Sequence, residues 1–212
     1  MSFKPCYNVF CTYCTIYILM ILFFLFFIIL SIIISPSNIK FHITDVSLTK
    51  FNLTSDNILY YNFKVNITIR NPNNNVIVYY RKINAIAWYK DNDFGYVSLT
   101  PFDQGHKNTT FLNPIVFEGN SVIKLKRQQL DEYNDETSLG IYNDLAVDLN
   151  LRIRFKFGRI KSSRFDPPIV QCRHLRVPLI SNGKDLADST HPFNGTKCKT
   201  YYFFAHDSGD RF

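Results

Sequence analysis

Between Thr15 and Ile34 the chain runs twenty residues, TIYILMILFFLFFIILSIII, without a charged side chain. At about 1.5 Å per residue, a helix of that length reaches roughly 30 Å, the thickness of a bilayer's hydrocarbon core. The nearest charges are Lys4 and Lys40. Phe23, Phe24, Phe26 and Phe27 would point in every direction around such a helix and leave no face for water. The segment therefore reads as a membrane span. The competing reading is a secretory signal, whose apolar region is usually about 7–15 residues long with a small-residue cleavage site behind it. Here the apolar block is longer, Pro36 separates Ser35 from Ser37, and the leading segment holds only Lys4. The expected division is a short cytosolic segment, 1–14, a transmembrane helix, 15–35, and one extracellular domain, 36–212.

Those last residues suffice for a single hydrophobic core. All seventeen acidic residues, and every basic residue but Lys4, lie beyond the span. The basic surplus is first a solubility feature; its sharper reading is attraction to anionic lipid or to an anionic wall polysaccharide. Charge does not orient the span, because Lys4 on one side and Lys40 and Lys50 on the other give the positive-inside rule little to weigh. Four N-glycosylation sequons, at Asn52, Asn66, Asn108 and Asn194, all follow the span and favour an extracellular domain. Cys6, Cys11 and Cys14 sit where the apolar run begins, positions open to S-palmitoylation or simply tolerant of small residues. Cys172 and Cys198 lie late in the domain. Outside the cell they would form a disulfide. A metal site made with His174 and His191 is the alternative on paper, although the spacing matches no familiar zinc pattern and the disulfide is the simpler account.

The domain reads as β. From Leu145 to Phe157 apolar residues alternate strictly with Ala146, Asp148, Asn150, Arg152, Arg154 and Lys156, and Phe63 to Arg70 alternates likewise. Further strands are predicted at Lys40–Leu48, Val76–Tyr89, Tyr96–Leu99, Thr109–Phe117, Ile169–Val177 and Thr200–Phe204. Turns are predicted at Asn71-Pro72-Asn73, Asp91-Asn92-Asp93, Asn113-Pro114, Glu118-Gly119-Asn120, Asp166-Pro167-Pro168 and Asn182-Gly183. Ser121–Leu139 is helix-favouring and Gly140 marks its stop, predicting a short surface helix. Seven or eight strands with one helix imply an antiparallel β-sandwich of immunoglobulin/fibronectin-III-like architecture. The Cys–Trp–Cys spacing of a true immunoglobulin domain is missing.

Sites read mostly as structure. Pro72 ends a strand and its flanking asparagines can bond the turn backbone. Pro101-Phe102-Asp103-Gln104-Gly105-His106-Lys107 is a polar loop in which His106 and Asp103 could be imagined as an acid–base pair, with no nucleophile beside them. Arg152, Arg154, Lys156, Arg159 and Lys161 form a basic stripe, first of all a solvated strand face; membrane anchorage argues against nucleic acid as its partner. Phosphate-loop, dinucleotide, nucleophile-elbow and zinc-protease motifs are all missing, and no cofactor is called for.

Taken in order, these blocks are similar to the plant NHL family (harpin-induced-like, non-race-specific-disease-resistance-like), whose domain is late embryogenesis abundant subgroup two. The resemblance rests on Asn71-Pro72-Asn73 with Tyr79-Tyr80; Pro101-Phe102 with Gln104-Gly105-His106-Lys107-Asn108-Thr109-Thr110; Val170-Gln171-Cys172 through Val177-Pro178-Leu179; and Thr196-Lys197-Cys198. Two positions depart from the family pattern. Arg81 stands where an acidic residue often follows the tyrosine pair, and Asn194-Gly195-Thr196 lacks the aspartate of an adhesion-like Asn-Gly-Asp. The resemblance implies a single-pass plasma-membrane protein with a cytosolic N-terminus and an apoplastic sandwich. It implies a non-enzymatic role in pathogen response, hypersensitive cell death and stress, in contact with the wall, lipid or other membrane proteins. A desiccation-type protective role without a specific partner is the alternative.

Overall fold

The computed structural model describes residues 4–34, 36–181, 184–185, 193, 195–201 and 203–204. It divides into two compact units, Met1–Ser37 and Asn38–Phe212. The first is one helix, α1 (Lys4–Ile34), which starts well before the predicted 15–35. Pro5 does not prevent this, since a first-turn proline forfeits only an amide that no intrahelical carbonyl would accept. Its stretch Cys11–Ile29 has a mean hydropathy of 2.5 and no buried side chain, long and apolar enough to cross a membrane.

The second unit is a two-sheet sandwich built from β1 (Lys40–Leu53), β2 (Ile58–Arg70), β3 (Val76–Tyr89), β4 (Asn92–Leu99), β5 (Phe102–Gln104), β6 (Thr109–Val122), β7 (Ile141–Phe157), β8 (Ile160–Lys161), β9 (Val170–Pro178) and β12 (Thr196–Lys197), with a side pair of β10 (Ile180–Ser181) and β11 (Lys184–Asp185). One sheet runs β12-β1-β2-β6. The other is β4-β3-β7, with β5 also on β3 and β8 and β9 also on β7. Every pairing between these strands is antiparallel. The alternation read in β2 and β7 buries Phe63, Val65, Ile67 and Ile69 from one sheet against Leu149, Leu151 and Ile153 from the other, where Val78, Tyr80 and Ile83 of β3 are buried as well.

Several turn predictions fail for local reasons. Asn92 and Asp93 belong to β4, and the β3–β4 hairpin turns on Lys90-Asp91, with Lys90 taking up the left-handed φ of 52°. Asn113-Pro114 is no chain reversal. It lies in β6, where the β2–β6 register shifts, and such an irregularity lets a strand accept proline's missing donor. Glu118-Gly119-Asn120 also stays in β6, because Gly119 adopts a φ of 148°, open to glycine and closed to other residues. Asn182-Gly183 lies outside the described residues.

The helix α2 (Arg127–Leu139) begins later than predicted, since Ser121 and Val122 complete β6. The Lys126 N–H donates to Gln129 Oε1 at 2.9 Å across the first turn, and Gly140 closes the helix with a φ of 67°. Among the described residues of the predicted strand Thr200–Phe204, none is in a strand. The chain pairs with β1 at Thr196–Lys197, then exchanges two hydrogen bonds between Lys199 and Gln171 of β9 (2.8 and 3.1 Å), so it crosses from one sheet to the other. After that crossing it has no ladder to extend, and Phe203 buries itself on Phe41 with ring centroids 5.7 Å apart.

Candidate functional site

The predicted loop residues converge at one end of the sandwich, around a buried polar knot. Asn71 is fully buried. Its Nδ2 donates to Val76 O (2.8 Å) and Gly105 O (2.9 Å), while its Oδ1 accepts from the Asn73 N–H (3.0 Å) and Asn73 Nδ2 (3.1 Å). Gln104, also fully buried, donates through Nε2 to Ile69 O (2.7 Å), Thr110 Oγ1 (3.1 Å) and Asn108 O (3.3 Å), and its Oε1 accepts from the Tyr80 hydroxyl (3.3 Å). Burial drives the Tyr80 phenol upward, so it stays a neutral donor. The Asn71 N–H donates to Asn108 O (2.9 Å) and the Lys107 N–H to Asn73 O (3.0 Å), clamping the β2–β3 loop to the β5–β6 loop. Phe102 stacks on Tyr80 at 4.5 Å, and Pro101 is exposed. These blocks are therefore hydrogen-bonding devices that fix two loops, with Gly105 contributing a carbonyl.

What the knot leaves on the surface is basic. His106 and Lys107 are exposed. Asp103 is taken by Arg81 (3.2 Å) rather than by His106, so the imagined acid–base pair does not form. Beside His106 lies a hollow of about 310 Å³ lined by Asn75, Ile77, Lys156, Phe157 and Gly158. Within the predicted stripe, Arg152 forks onto Asp166 (2.8 and 3.2 Å), which raises its pKa, and Arg154 donates to Ser162 O (2.7 Å). Lys156 pairs across the β7–β8 hairpin with Lys161, and Arg159 occupies its turn.

The opposite end is closed by α2. Tyr133 accepts the Leu53 N–H at 2.8 Å, and buried Glu136 accepts from the Tyr89 hydroxyl (2.6 Å) and the Asn143 N–H (3.3 Å). Lys90 reaches Glu132 and lies 4.0 Å from Glu136. Its hydrogen bond to Glu132 holds that carboxyl below the usual range. Burial pushes the Tyr142 phenol up to about 12 and raises Tyr89 as well, where Glu136 adds to the effect. None of these residues stood out in the sequence, because their significance lies in contacts made across long stretches of chain.

Asp148 on β7 was likewise missed as a site. It is only 4% exposed, its Oδ2 meets Arg173 at 2.6 Å, and its Oδ1 has no hydrogen-bond partner. Burial raises its carboxyl pKa, and Arg173 offsets this only in part. A carboxyl that holds its proton more tightly in the native than in the unfolded state adds stability below the ordinary carboxylate range and loses it as pH rises through the native value. Asp148→Asn is accordingly expected to raise the melting temperature by a few degrees at neutral pH and to leave it unchanged near pH 3. Thermal melts at the two pH values check this.

Cys172 and Cys198 are bonded as a disulfide, both buried. The metal alternative loses its two thiols to that bond, and His174 instead sits 3.3 Å from Asp144, with His191 outside the described residues. Cys11 and Cys14 are free and exposed on α1; Cys6 lies on the same helix. Of the sequons, Asn52 is exposed on β1, Asn108 is exposed in the β5–β6 loop, and Asn66 is half-buried on β2 with its Nδ2 donating to Asp45 Oδ2 (3.2 Å). Asn194 lies outside the described residues.

Residues 66–172 match the family described as Late embryogenesis abundant protein, LEA_2. The chain is 44% identical over 163 residues to NDR1/HIN1-like protein 10 of Arabidopsis thaliana, a match spanning 76% of this chain and 70% of that one. Against NDR1/HIN1-like protein 3 of the same plant it is 42% identical over 171 residues, 80% of this chain and 71% of the other. Against NDR1/HIN1-like protein 2 the identity is 38% over 154 residues, covering 73% and 63%.

Proposed function

The chain belongs to the LEA_2 late embryogenesis abundant family and within it to the NDR1/HIN1-like proteins, and on that footing we propose that it serves plant defence and stress response as a membrane-anchored interaction protein without catalytic activity. In this reading α1 spans the plasma membrane, the N-terminus is cytosolic and the sandwich stands in the apoplast. The observation that carries it is the Cys172–Cys198 disulfide in a domain that follows an apolar helix, since such bonds persist in oxidising compartments and are rare in the cytosol. An extracellular domain makes the exposed sequons Asn52 and Asn108, and Asn66 and Asn194 with them, available to glycosylation, and leaves Cys6, Cys11 and Cys14 available to palmitoylation on the cytosolic side. The non-enzymatic reading is supported by His106, which stands exposed while the nearby carboxylate of Asp103 is engaged by Arg81.

Topology mapping of the full chain in sealed vesicles tests this. Glycosidase treatment is expected to lower the apparent mass, and protease added from the cytosolic side is expected to leave residues 36–212 intact. An unchanged mass together with digestion of the domain from the cytosolic side would overturn the apoplastic reading.

A further inference from the structure

Charge along the sandwich is strongly asymmetric, which its total conceals. The end formed by the β2–β3, β5–β6 and β7–β8 connections carries Lys40, Arg70, Lys107, Lys156, Arg159 and Lys161, with His106 among them. The segments that build this end, 36–40, 70–76, 104–109 and 156–163, contain no carboxylate side chain. None of the six basic groups makes an ion pair among the described residues, whereas Arg81, Lys90, Lys126, Arg152 and Arg173 elsewhere all do. The opposite end, made of α2 and the turns around it, sets the carboxylates Asp91, Asp131, Glu132, Asp135, Glu136 and Asp144 against Lys90, Lys124, Lys126 and Arg127, a net charge of 4 − 6 = −2.

We propose that the basic end is a docking surface for an anionic phospholipid bilayer, with the hollow between His106 and Lys156 seating a lipid headgroup. The hollow sets a lysine, a histidine and the Asn75 amide beside Ile77 and Phe157, a pairing of phosphate-binding and apolar groups suited to headgroup depth. Its walls are preformed, because the Asn71 and Gln104 knot holds the loops that carry His106 and Asn75, so little ordering cost falls on binding. A bilayer is favoured over a soluble polyanion by where the chain comes into the domain. Ile39 is fully buried, Lys40 pairs with Arg70 at this same end, and only residues 35–39 separate Lys40 from the last residue of α1. An extended link of that length reaches about 20 Å at most. The carboxylate-rich end is repelled by the surface that attracts the basic end, so the asymmetry also orients the domain. The inference rests on α1 spanning the membrane, as proposed above, and requires anionic lipid in the leaflet that the sandwich faces.

The test reconstitutes the full chain in nanodiscs of phosphatidylcholine alone or with added phosphatidylserine and follows backbone hydrogen exchange. Segments 104–108 and 156–160 are expected to exchange several-fold more slowly only in the phosphatidylserine discs, the effect vanishing at high salt, while α2 is unchanged. The triple variant Lys107→Gln, Lys156→Gln, Lys161→Gln is expected to lose this slowing, each neutralised lysine weakening docking roughly fivefold, with α2 exchange as the check that it is folded. Equal exchange in the two kinds of disc overturns the proposal. So does slowing by soluble polygalacturonate in phosphatidylcholine discs without slowing by phosphatidylserine, which would assign the surface to a carboxylated polymer. A glycan found on Asn108 by glycopeptide mapping also overturns it, since it would stand between this end and the lipid.

Discussion

Asn71→Ala is expected to cost the sandwich about 3–4 kcal/mol. The side chain makes four hydrogen bonds, three of them buried and the one to Gly105 partly so, and truncation takes the partner from the buried Val76 carbonyl and the buried Asn73 backbone amide as well as from the Gly105 carbonyl. Each such group costs about 1–3 kcal/mol, and partial relaxation of the two loops keeps the total below the sum. For a domain of this size the melting temperature should fall by roughly 10 °C. Asn71→Asp separates hydrogen bonding from size. It keeps the acceptor toward Asn73 but sets a carboxylate against two carbonyl oxygens, so at neutral pH it should cost at least as much as alanine. Thermal melts of the detergent-solubilised chain check both variants. If the Asn71→Asp substitution were tolerated, the knot would be wet and its hydrogen bonds replaceable by solvent.

The knot also shows where sequence reading reaches its limit. Strands β2 and β7 were legible because period-two alternation is a local signal, and the Val76–Tyr89 strand prediction coincides with β3. Gly140 was legible as a helix stop for the same reason. Asn71-Pro72-Asn73 was read as a turn in which asparagine bonds the backbone, which is right, but its partner Gly105 lies thirty-four residues away and no local pattern encodes that distance. Gln104 looked like one more polar loop residue; only the close approach of Ile69, Tyr80 and Thr110 makes it a buried hub. Turn residues misled where the sheet needed an irregularity rather than a reversal. Pro114 and Gly119 are both strong breakers, yet both lie within β6, at a register shift and at a glycine-only φ. The basic end was half legible. Lys156, Arg159 and Lys161 read as one stripe on one strand, whereas the fold bends that stripe at a hairpin and brings Lys40, Arg70 and Lys107 beside it from three other segments.

Breaking the Cys172–Cys198 bond is the second large effect. The bond closes a loop of 26 residues, for which the chain-entropy model gives about 3.5 kcal/mol. Its loss should be felt beyond that loop, because the segment after β9 laces the two sheets through the β1–β12 pairing and the Gln171–Lys199 exchange. Cys172→Ser with Cys198→Ser is therefore expected to lower the melting temperature by roughly 10 °C, with early loss of hydrogen-exchange protection at the amides that donate in this lacing, Gln171, Cys198 and Lys199. Dithiothreitol should bring the wild-type chain to the melting temperature of the double variant and leave the variant itself unmoved. That comparison bears directly on where the domain works. In a reducing compartment the chain would live permanently at the lower stability, with the C-terminal lacing of the sheets weakened, whereas in the apoplast it keeps both. If reduction confirmed by thiol counting left the wild-type melting temperature unchanged, the bond would contribute nothing to the fold, and the argument from this disulfide to an extracellular domain would lose its physical basis.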